Sequence, residues 1–360
     1  MNDGSSTFEL TQKAGRGVII AIVTVKEEQQ ATEMRVLVTG GTGFTGTHLV
    51  RRLLEKGHQV VCVDNQKGLF YDELVEKGAE VTIASVTEKD LMDELTRGCQ
   101  RVYHLAAAFR KVNLGKKAYW DINVNATRYL LEAAYKHNVE RFVYCSTCGV
   151  HGGVKNPPAA EDAPIAPEDY YQYTKYEGEV VAQEFVAKGM WVSILRPAAI
   201  YGPGDPERFY MLYKRVQTGK FMFLGDGTAT YHPLYVTNLI DALELASEKD
   251  EAKGQVYLIA DEEYVPIKEL VLAIAKVLDV NLKIRHFPFW PVYAAAFCVE
   301  MLYKPLPFEP PLFRRRVDWF RQNRAFDMSK AKRELGYKPK VDLPTGLALT
   351  AEWYKKEGYL

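Results

Sequence analysis

The chain contains 360 residues, of which 47% are hydrophobic, so it is long enough for one large domain or for a domain with an attached lobe. Its 46 acidic and 46 basic side chains cancel and form no basic stripe, which argues against nucleic acid or another polyanion as a partner. Five cysteines, an odd number in a chain of this length, are typical of a protein of the reducing cytosol.

Residues 1–33 precede the first recognisable element of the fold, and we expect them to form a poorly ordered N-terminal extension. The apolar segment 17–25 is far too short to span a bilayer, which takes about 20 residues. Lys13 and Arg16 before it are typical of a signal peptide, but charged and polar residues follow where a cleavage site would lie. We assign the extension no function.

A strand, a glycine-rich turn and a helix follow the extension. Residues 36–38 are apolar and mostly β-branched, as in a buried strand. Gly40, Gly43 and Gly46 come next with the spacing G-x-x-G-x-x-G, and a helix then continues to Gly57. Glycines permit a tight turn and close backbone approach, while the helix N-terminus offers free N–H groups and a partial positive charge. The pattern predicts a phosphate-binding cradle.

A second strand, residues 59–63, ends on Asp64, about 20 residues after the glycines, which is the spacing of a dinucleotide-binding unit. A carboxylate at this position accepts hydrogen bonds from both hydroxyls of the adenosine ribose and repels a 2′-phosphate. The sequence therefore predicts NAD rather than NADP as the cofactor. The alternative is a glycine turn that only permits close packing.

Strands and helices alternate after this unit, which indicates an α/β protein with a Rossmann-type, doubly wound parallel sheet. We predict strands and two long helices in the following ranges: strands at 80–83, 101–105, 141–145 and 191–195, and helices at 123–137 and 171–188. Later in the chain prolines, glycines and aromatic residues become more frequent. We therefore place the dinucleotide-binding domain at 34–200 and a smaller substrate-binding lobe mainly at 201–360, with room for a strand and a helix that return to the core.

Tyr171 and Lys175 lie four positions apart on a predicted helix, so both side chains share one face. Tyrosine has a pKa near 10, and lowering that pKa by about three units requires roughly 4 kcal/mol. An ammonium about 4 Å away supplies about that much at an effective dielectric constant of 20. The same spacing recurs at Tyr210/Lys214 and Tyr264/Lys268. Only Tyr171 follows a strand that leads into a hydroxyl-bearing segment, 145–152, so we expect proton transfer there.

Over about residues 34–356 the chain resembles the extended short-chain dehydrogenase/reductases, the superfamily that includes the NAD-dependent sugar epimerases and dehydratases. The resemblance rests on six motif segments: 39–46, 104–107, 123–127, 146–152, 171–175 and 195–197. It implies that Thr147 hydrogen-bonds the substrate oxygen, that Tyr171 is the acid/base, and that Lys175 binds the ribose and lowers the tyrosine pKa. Ser146 is the alternative to Thr147.

The resemblance also implies which residues contact NAD and that no metal is bound. The implied contacts are Gly40, Thr42, Gly43, Phe44, Thr45, Gly46, Asp64, Leu105, Ala106, Ala107 and Pro197, together with Tyr171 and Lys175. The superfamily usually has an Asp near the adenine after its third strand, whereas Ser85 stands here. We expect a weaker contact at that point.

Two histidines and a cysteine pair invite other interpretations. His104 and His151 lie in stretches that the superfamily explains structurally, so we expect structural rather than catalytic roles. Cys145 and Cys148 form an isolated C-x-x-C. A redox or metal role is the alternative, but without a second pair we interpret them as two small residues at a strand end.

Three segments argue against a typical sugar nucleotide as the substrate. Sugar-nucleotide members usually have an Asn soon after the Arg-Pro position, but 196–204 contains none. They also tend to place an Arg before the late strand, whereas 225–236 contains none, so a diphosphate lacks its best bidentate partner. Thr237 and Asn238 resemble the Val-x-Asn of the steroid and sterol dehydrogenase branch. Partial substitutes for the missing Arg are Lys214, Arg215 and Lys220.

The aromatic, apolar segment 287–303 also favours an apolar substrate over a sugar nucleotide. Its length and Glu300 do not suit a membrane span. An ordinary amphipathic helix of the small lobe is one interpretation. The others are a lid over an apolar substrate and a helix that lies on a lipid surface, which makes a peripheral membrane contact part of the prediction.

Together these features predict an NAD-dependent oxidoreductase that resembles the 3β-hydroxysteroid/sterol dehydrogenase branch and interconverts a secondary alcohol and a ketone on an apolar substrate. Decarboxylation could follow if the substrate carries a carboxylate β to the new ketone. The main alternative is a sugar-nucleotide 4-epimerase or 4,6-dehydratase that uses the same residues, and an NAD-sensing scaffold is the third. The superfamily suggests a cytoplasmic homodimer paired through the helices near 123–137 and 171–188, with membrane association as an option.

Overall fold

The computed structural model describes residues 7–14, 17–24, 33–109, 114–205, 207–304 and 310–360. Met1–Glu33 and Met34–Leu360 form two separate compact units. In the first unit β1 (Thr7–Ala14) pairs antiparallel with β2 (Gly17–Thr24). The remaining residues before 33 lie outside the described residues, and the poor order expected of this extension stays a prediction.

The second unit contains the other strands and helices of the described residues. Its strands are β3 (Arg35–Thr39), β4 (Gln59–Asp64), β5 (Glu80–Ile83), β6 (Arg101–His104), β7 (Arg141–Cys145), β8 (Val192–Pro197), β9 (Ala199–Tyr201), β10 (Lys220–Leu224), β11 (Thr230–Tyr231), β12 (Pro233–Tyr235), β13 (Val256–Ile259), β14 (Val265–Pro266) and β15 (Lys283–Phe287). Its helices are α1 (Phe44–Glu55), α2 (Tyr71–Glu76), α3 (Lys89–Thr96), α4 (Lys116–Trp120), α5 (Ala126–Lys136), α6 (Tyr170–Ala187), α7 (Arg208–Gln217), α8 (Val236–Glu248), α9 (Ile267–Val277), α10 (Phe289–Tyr303), α11 (Arg314–Asp318), α12 (Ser329–Leu335) and α13 (Leu343–Lys356).

A seven-stranded parallel sheet with the order β13-β8-β7-β6-β3-β4-β5 forms the centre of this unit. The chain moves from β3 outward through β4 and β5, and then crosses to β6 on the other side of β3. The carboxyl ends of β3 and β6 therefore border the crevice at which such sheets bind ligands. The sheet confirms the predicted Rossmann-type α/β fold, and β13 is the returning strand.

Alternate residues of β3 face two different helix layers. Val36 and Val38 belong to the core that includes Leu49 and Leu53 of α1 and residues of α8 and α12. Leu37 points to the opposite core, which includes residues of α3, α5 and α6. Because helices cover both faces, the central strands are apolar throughout rather than alternating, as a parallel sheet requires.

The helix predicted at 123–137 differs from the prediction at its start. The helical segment begins with α4 at Lys116, passes through a π-helical turn at Asp121–Asn125 and continues as α5. A π turn inserts one residue into the helical repeat and changes the direction of the side chains within it. Here it contains Asn123, which is buried.

The later part of the chain forms a smaller lobe with its own core. Residues of α7, α9 and α13 pack with β10, β11 and β12 around Phe209, Tyr213 and Phe223. Helix α10 lies on the surface of this lobe, since Ala296 is its one buried residue. Among the described residues, no helix combines the length and the apolar character needed to cross a membrane.

Candidate active site

The glycine-rich turn brings the end of β3 against the end of β6. Gly40 has φ of +71°, and a Cβ there would lie 2.9 Å from the backbone N of Ala106. A Cβ on Gly46 would lie 2.0 Å from the Gly40 carbonyl oxygen. Both glycines are therefore required by close backbone approach. Gly43 precedes α1 without a side-chain cap, so the N–H groups of the first helical turn point out of the turn unshielded by a capping side chain.

Asp64 lies directly beside this turn. Its Oδ2 accepts a hydrogen bond from the Thr42 backbone N–H at 3.2 Å, and its Oδ1 accepts one from Asn65 N–H at 2.8 Å. A Cβ on Gly43 would lie 3.9 Å from Asp64 Oδ2. Each carboxylate oxygen can accept a further hydrogen bond. The carboxylate both fixes the turn and lies where the sequence predicts a ribose contact.

A hydrogen-bonded chain fixes the end of β6. Thr39 Oγ1 accepts from Ala106 N–H at 3.2 Å and lies 2.7 Å from His104 Nδ1, while His104 Nε2 lies 2.9 Å from Thr127 Oγ1. Thr127 in turn donates to the Asn123 carbonyl oxygen. If His104 is neutral with its hydrogen on Nε2, then Thr39 donates to Nδ1 and Nε2 donates to Thr127, so each of these hydrogen bonds has one donor and one acceptor. Burial and the nearby Lys175 charge hold the pKa of His104 well below its usual value, which agrees with the structural role expected for it.

Asn123 connects the loop after β6 with helix α6. Its Oδ1 accepts from the Ala108 N–H at 2.8 Å, and its Nδ2 donates to Thr174 Oγ1 at 2.9 Å. Thr174 donates to the carbonyl oxygen of Tyr171. These bonds fix the position of the loop relative to α6, the helix that carries Tyr171. The loop contains the half-buried residues Leu105, Ala106 and Ala107.

Tyr171 and Lys175 lie in the first two turns of α6, which begins with a capping box between Asp169 and Gln172. The ring of Tyr171 meets Phe109 edge to face, with ring centroids 5.1 Å apart. The Nζ of Lys175 lies 4.2 Å from the centroid of the Tyr144 ring, is buried, and has no hydrogen-bond acceptor among the described residues. Burial lowers the pKa of Lys175 to about 8.

Ser146 and Thr147 differ in their surroundings. The hydroxyl of the buried Ser146 donates to Glu179 Oε1. Glu179 also forms a buried ion pair with Arg196, at 2.6 Å. Thr147 is half-buried and accepts from Gly149 N–H at 3.1 Å. A Cβ on Gly149 would lie 3.2 Å from Thr147 Oγ1 and from Gln172 of α6. Ser146 is thus committed to an internal network, which favours Thr147 as the substrate contact.

The other residues singled out from the sequence have structural partners. His151 Nδ1 lies 3.2 Å from the Pro164 carbonyl oxygen and its Nε2 lies 3.0 Å from Arg196 Nη1, while burial lowers its pKa. Ser85 Oγ pairs with Thr87 at 2.8 Å. Pro197 is buried at the end of β8. Burial also raises the pKa of Cys145 to about 11, which does not suit a reactive thiolate.

Asn238, which the sequence analysis used as a branch marker, binds protein rather than lining the cavity described below. Its Nδ2 donates to Asp261 Oδ1 at 2.7 Å and to the Val341 carbonyl oxygen at 2.8 Å. Its Oδ1 accepts from the Lys340 and Val341 N–H groups. Asn238 therefore fastens the C-terminal segment to α8, and its presence does not report directly on the substrate.

A cavity of about 300 Å³ lies in the smaller lobe. Its walls are Leu224, Gly225, Asp226, Thr228, Ala229, Phe289, Trp290, Phe320, Arg321 and Asn323. Asn323 accepts from the Val154 N–H at 2.9 Å through its carbonyl oxygen, so this wall is joined to the loop that follows Thr147. Lys214, Arg215 and Lys220, the proposed substitutes for the missing arginine, are exposed and are not among the lining residues.

These residues fit NAD. The glycines let the turn pack closely and lead into α1, whose first turn has no capping side chain and can offer its N–H groups to a pyrophosphate. Asp64 lies beside this turn, and the buried Lys175 ammonium lacks the acceptor that ribose hydroxyls would provide. Residues 36–260 match the model of the NAD dependent epimerase/dehydratase family, which is more than half of the chain. The chain belongs to this family. Membership of this family confirms the superfamily, the enzyme class and the NAD dependence that were expected from the sequence.

Relatives in this family act on different substrates. The chain is 32% identical over 356 residues to 3beta-hydroxysteroid-dehydrogenase/decarboxylase isoform 2 of Arabidopsis thaliana, covering 89% of this chain and 62% of that protein, which is less than two thirds of its length. It is 27% identical over 321 residues to N-acetyl-alpha-D-glucosaminyl-diphospho-ditrans,octacis-undecaprenol 4-epimerase of Escherichia coli O157:H7, covering 88% and 94%. The structure of MoeE5 in complex with UDP-glucuronic acid and NAD matches with a TM-score of 0.72 and 26% identity, covering 90% and 99%. Similarity alone therefore does not choose the substrate.

Sequence reasoning missed several residues of this region. It quoted Asn123 as part of a motif without a role, and it did not connect Ser146 with Glu179. It also missed Asp226 and Arg321, although the segment 287–303 that it singled out contains Phe289 and Trp290. The cavity residues come from three separate parts of the chain. The signal for Asn123 was available, since a polar residue among apolar helix positions predicts a buried hydrogen-bonding role.

Proposed function

We propose that the protein is an NAD-dependent oxidoreductase that interconverts a secondary alcohol and a ketone on an apolar, sterol-like or other lipid substrate. The observation that carries this proposal is the cavity, which is joined through Asn323 to the loop after Thr147 but does not have Tyr171 or Lys175 among its lining residues. Its walls include Phe289, Trp290 and Phe320. Four of the ten lining residues are polar, so an apolar ligand here would pack on the aromatic side chains and form hydrogen bonds at the polar ones.

The charges around the cavity disfavour a diphosphate. Arg321 lines it, but its guanidinium forms an ion pair with Asp318 at 2.8 Å, and Asp226 contributes a carboxylate to the same walls. Hydrogen bonds from Thr228 lower the pKa of Asp226, so this carboxylate is ionised at neutral pH. A diphosphate would meet Arg321, whose charge is already neutralised by Asp318, and would be repelled by the Asp226 carboxylate. A lipid with a hydroxyl group has no charge, so it needs neither a free arginine nor the removal of this carboxylate.

The roles of the site residues follow from their positions. Tyr171 takes the proton of the substrate hydroxyl during oxidation and returns it during reduction. Thr147 donates a hydrogen bond to the same substrate oxygen and fixes its distance from Tyr171. Lys175 places a positive charge on the same helix face as Tyr171, which stabilises the tyrosinate, and it holds the ribose hydroxyls of the cofactor. Bound NAD supplies the hydride acceptor at C4 of its nicotinamide.

A sugar-nucleotide 4-epimerase or 4,6-dehydratase is the second candidate. Arg321 in the cavity favours it, since arginine is the usual bidentate partner of a diphosphate. Rotation of Arg321 away from Asp318 would supply such a contact. This candidate uses Thr147, Tyr171 and Lys175 in the same way, so mutation of these residues does not separate it from the first.

The test is nicotinamide absorbance after the protein and NAD are mixed with two substrate panels. One contains 3β-hydroxysterols and related lipid alcohols, and the other UDP- and dTDP-sugars, with the sugars also analysed by chromatography. We expect net NADH from a lipid alcohol and none with Tyr171→Phe, which should still bind NAD. Conversion of a nucleotide sugar without net NADH would refute the proposed substrate class.

We also propose a cytoplasmic homodimer that pairs through α5 and α6. These helices are tied together by an ion pair between Arg128 and Glu184 at 2.6 Å. They expose Tyr135, Tyr173 and Val180, at 53%, 40% and 40%. Exposed apolar side chains on adjacent helices are typical of an oligomer interface. Light scattering that gives the mass of one chain would refute this assembly.

A further inference from the structure

Helix α10 presents an apolar stripe to solvent along its whole length. The stripe consists of Trp290, Ala294, Phe297 and Met301, which are spaced by three or four positions and share one helix face, together with Leu302, which lies about 100° further round on the exposed side. Leu302 is 72% exposed and Trp290 67%. Isolated exposed apolar residues are ordinary, but a continuous stripe of large ones marks a contact surface.

The opposite face of α10 attaches it to the protein. Phe289, Val292 and Tyr293 pack with Leu224 and Val317 around the buried Ala296. Glu300 accepts from the Arg314 guanidinium at 2.7 Å and so joins the end of the helix to the segment of α11. The helix is therefore held by one side, and the stripe is the side left without a partner among the described residues.

Exposed cations lie on the strand pair that leads into α10 and on the segment that follows this helix. In the parallel pair β10 and β15, Lys220 lies opposite Lys283, and Arg285 occupies the exposed position next to them. At the other end lie Lys304, Arg315 and Arg316, all exposed. The described acidic residues of α10 and α11 are already paired, Glu300 with Arg314 and Asp318 with Arg321. Lys304 and Arg316, next to the C-terminal end of the stripe, therefore have no acidic partner among the described residues, whereas Arg315 is paired with Asp169.

We propose that α10 docks on an anionic lipid bilayer, with the stripe among the acyl chains at the interface and the surrounding cations against the lipid headgroups. A helix that is held on the protein by one apolar side, exposes aromatic and leucine side chains on the other and has basic residues near its ends suits the bilayer interface without crossing it. A second copy of the chain suits the surface less well, because a twofold contact would bring the basic rim against itself.

Docking on a bilayer would place the cavity near the source of an apolar substrate. This inference rests on the proposed function. Arg315 lies 3.7 Å from Asp169, the residue that caps α6 two positions before Tyr171. Phe289 and Trp290 at the start of α10 also line the cavity. A bilayer on the stripe would therefore lie beside the cavity.

Cys298 provides a reporter for the test. It is exposed on α10, next to Phe297, whereas Cys62, Cys99 and Cys148 are buried and Cys145 is half-buried. The full chain is labelled at Cys298 with an environment-sensitive fluorophore and mixed with vesicles of phosphatidylcholine alone or with phosphatidylserine added. We expect a blue shift and vesicle co-flotation with the anionic vesicles, both weakened by salt.

The variant Leu302→Glu should reduce vesicle binding by tenfold or more, while Leu272→Glu, the same change at an exposed leucine of α9, should not. Neither should alter turnover of a short water-soluble alcohol, which separates failure of docking from failure of the proposed reaction. Absence of binding to either vesicle, or equal binding by Leu302→Glu, would overturn the proposal. A fall in solution mass for Leu302→Glu without vesicle binding would assign the stripe to a second copy.

Discussion

The ammonium of Lys175 is buried against the Tyr144 ring, and no described residue accepts a hydrogen bond from it. Burial lowers the pKa of Lys175 to about 8 from its ordinary value of 10.5, because the charged form loses its hydration. The folded protein without cofactor therefore holds this charge at a cost in stability. The hydroxyls of a bound ribose would supply the missing acceptors, so the same residue that weakens the fold would bind the cofactor.

The substitution Lys175→Met should separate these two effects. Without NAD we expect the free energy of unfolding to rise by about 1–3 kcal/mol, since an uncompensated buried charge is replaced by an apolar side chain of similar length. Affinity for NAD and turnover should both fall. Urea unfolding with and without NAD provides the measurement, and an unchanged or lower stability of the variant without NAD would contradict the account.

The difference in unfolding free energy between Lys175→Met and the wild type should depend on pH. Below pH 8 Lys175 is protonated in both the folded and the unfolded state, so its full cost is present. Between about pH 8 and 10.5 the folded state releases the proton first, and the stability of the wild type rises relative to Lys175→Met. The stability advantage of the variant should therefore shrink over this range.

Ser146 and Thr147 are adjacent but should respond differently to removal of the hydroxyl. Ser146→Ala removes a donor to Glu179 and should lower stability by about 1–3 kcal/mol, with a smaller effect on kcat. Thr147→Ala removes the acceptor of the Gly149 N–H and should lower stability by about 1 kcal/mol, while reducing kcat/KM by about 10²-fold; Thr147→Ser should restore both. The opposite result, with the larger kinetic loss at Ser146, would assign the substrate contact to Ser146.

At the scale of elements, the close contact of α6 with the sheet positions the tyrosine. A Cβ on Gly178 would lie 2.2 Å from the Tyr144 hydroxyl oxygen and 2.8 Å from the Asn123 carbonyl oxygen. Helix α6 can therefore approach β7 and the π-helical turn only because residue 178 has no side chain. This contact sets the distance between Tyr171 and the ends of the strands.

Gly178→Ala should displace α6 and destabilise the protein by about 1–3 kcal/mol or more, since the neighbouring atoms are backbone and a buried ring. Turnover should fall as well, because Tyr171 moves with the helix. Gly115→Ala is the control, since nothing lies within 4 Å of the position its Cβ would occupy. Thermal unfolding and kcat of both variants test this, and equal behaviour of the two would refute the packing argument.

The elements that the sequence predicted best are those with a local signal. The apolar run of β3, the glycines after it and the spacing to Asp64 each depend on neighbouring residues, and the structure contains the unit as expected. The start of the helix near residue 123 was wrong by several residues, because a π-helical turn has no periodic signal of its own. The contact of Gly178 with Tyr144 was also beyond prediction, since it joins residues far apart in the chain.

At the scale of the whole molecule, the fold class could be predicted but the substrate surface could not. Alternation of strands and helices predicts a doubly wound sheet regardless of side-chain detail. The cavity brings together Asp226, Trp290 and Arg321 from separate elements, so its charge balance exists only in the folded protein. Asn238 shows the converse, because a residue that resembled a substrate marker turned out to fasten the C-terminal segment.

The central claim is net oxidation of an apolar secondary alcohol, and transfer of deuterium tests it most directly. A 3β-hydroxysterol that carries deuterium on the carbinol carbon is incubated with the protein and NAD, and the mass of the free NADH is measured. We predict one deuterium in released NADH for each ketone formed, and none with Tyr171→Phe. Absence of labelled NADH, together with a nucleotide sugar that is epimerised or dehydrated while its own deuterium returns to the product, would contradict the account.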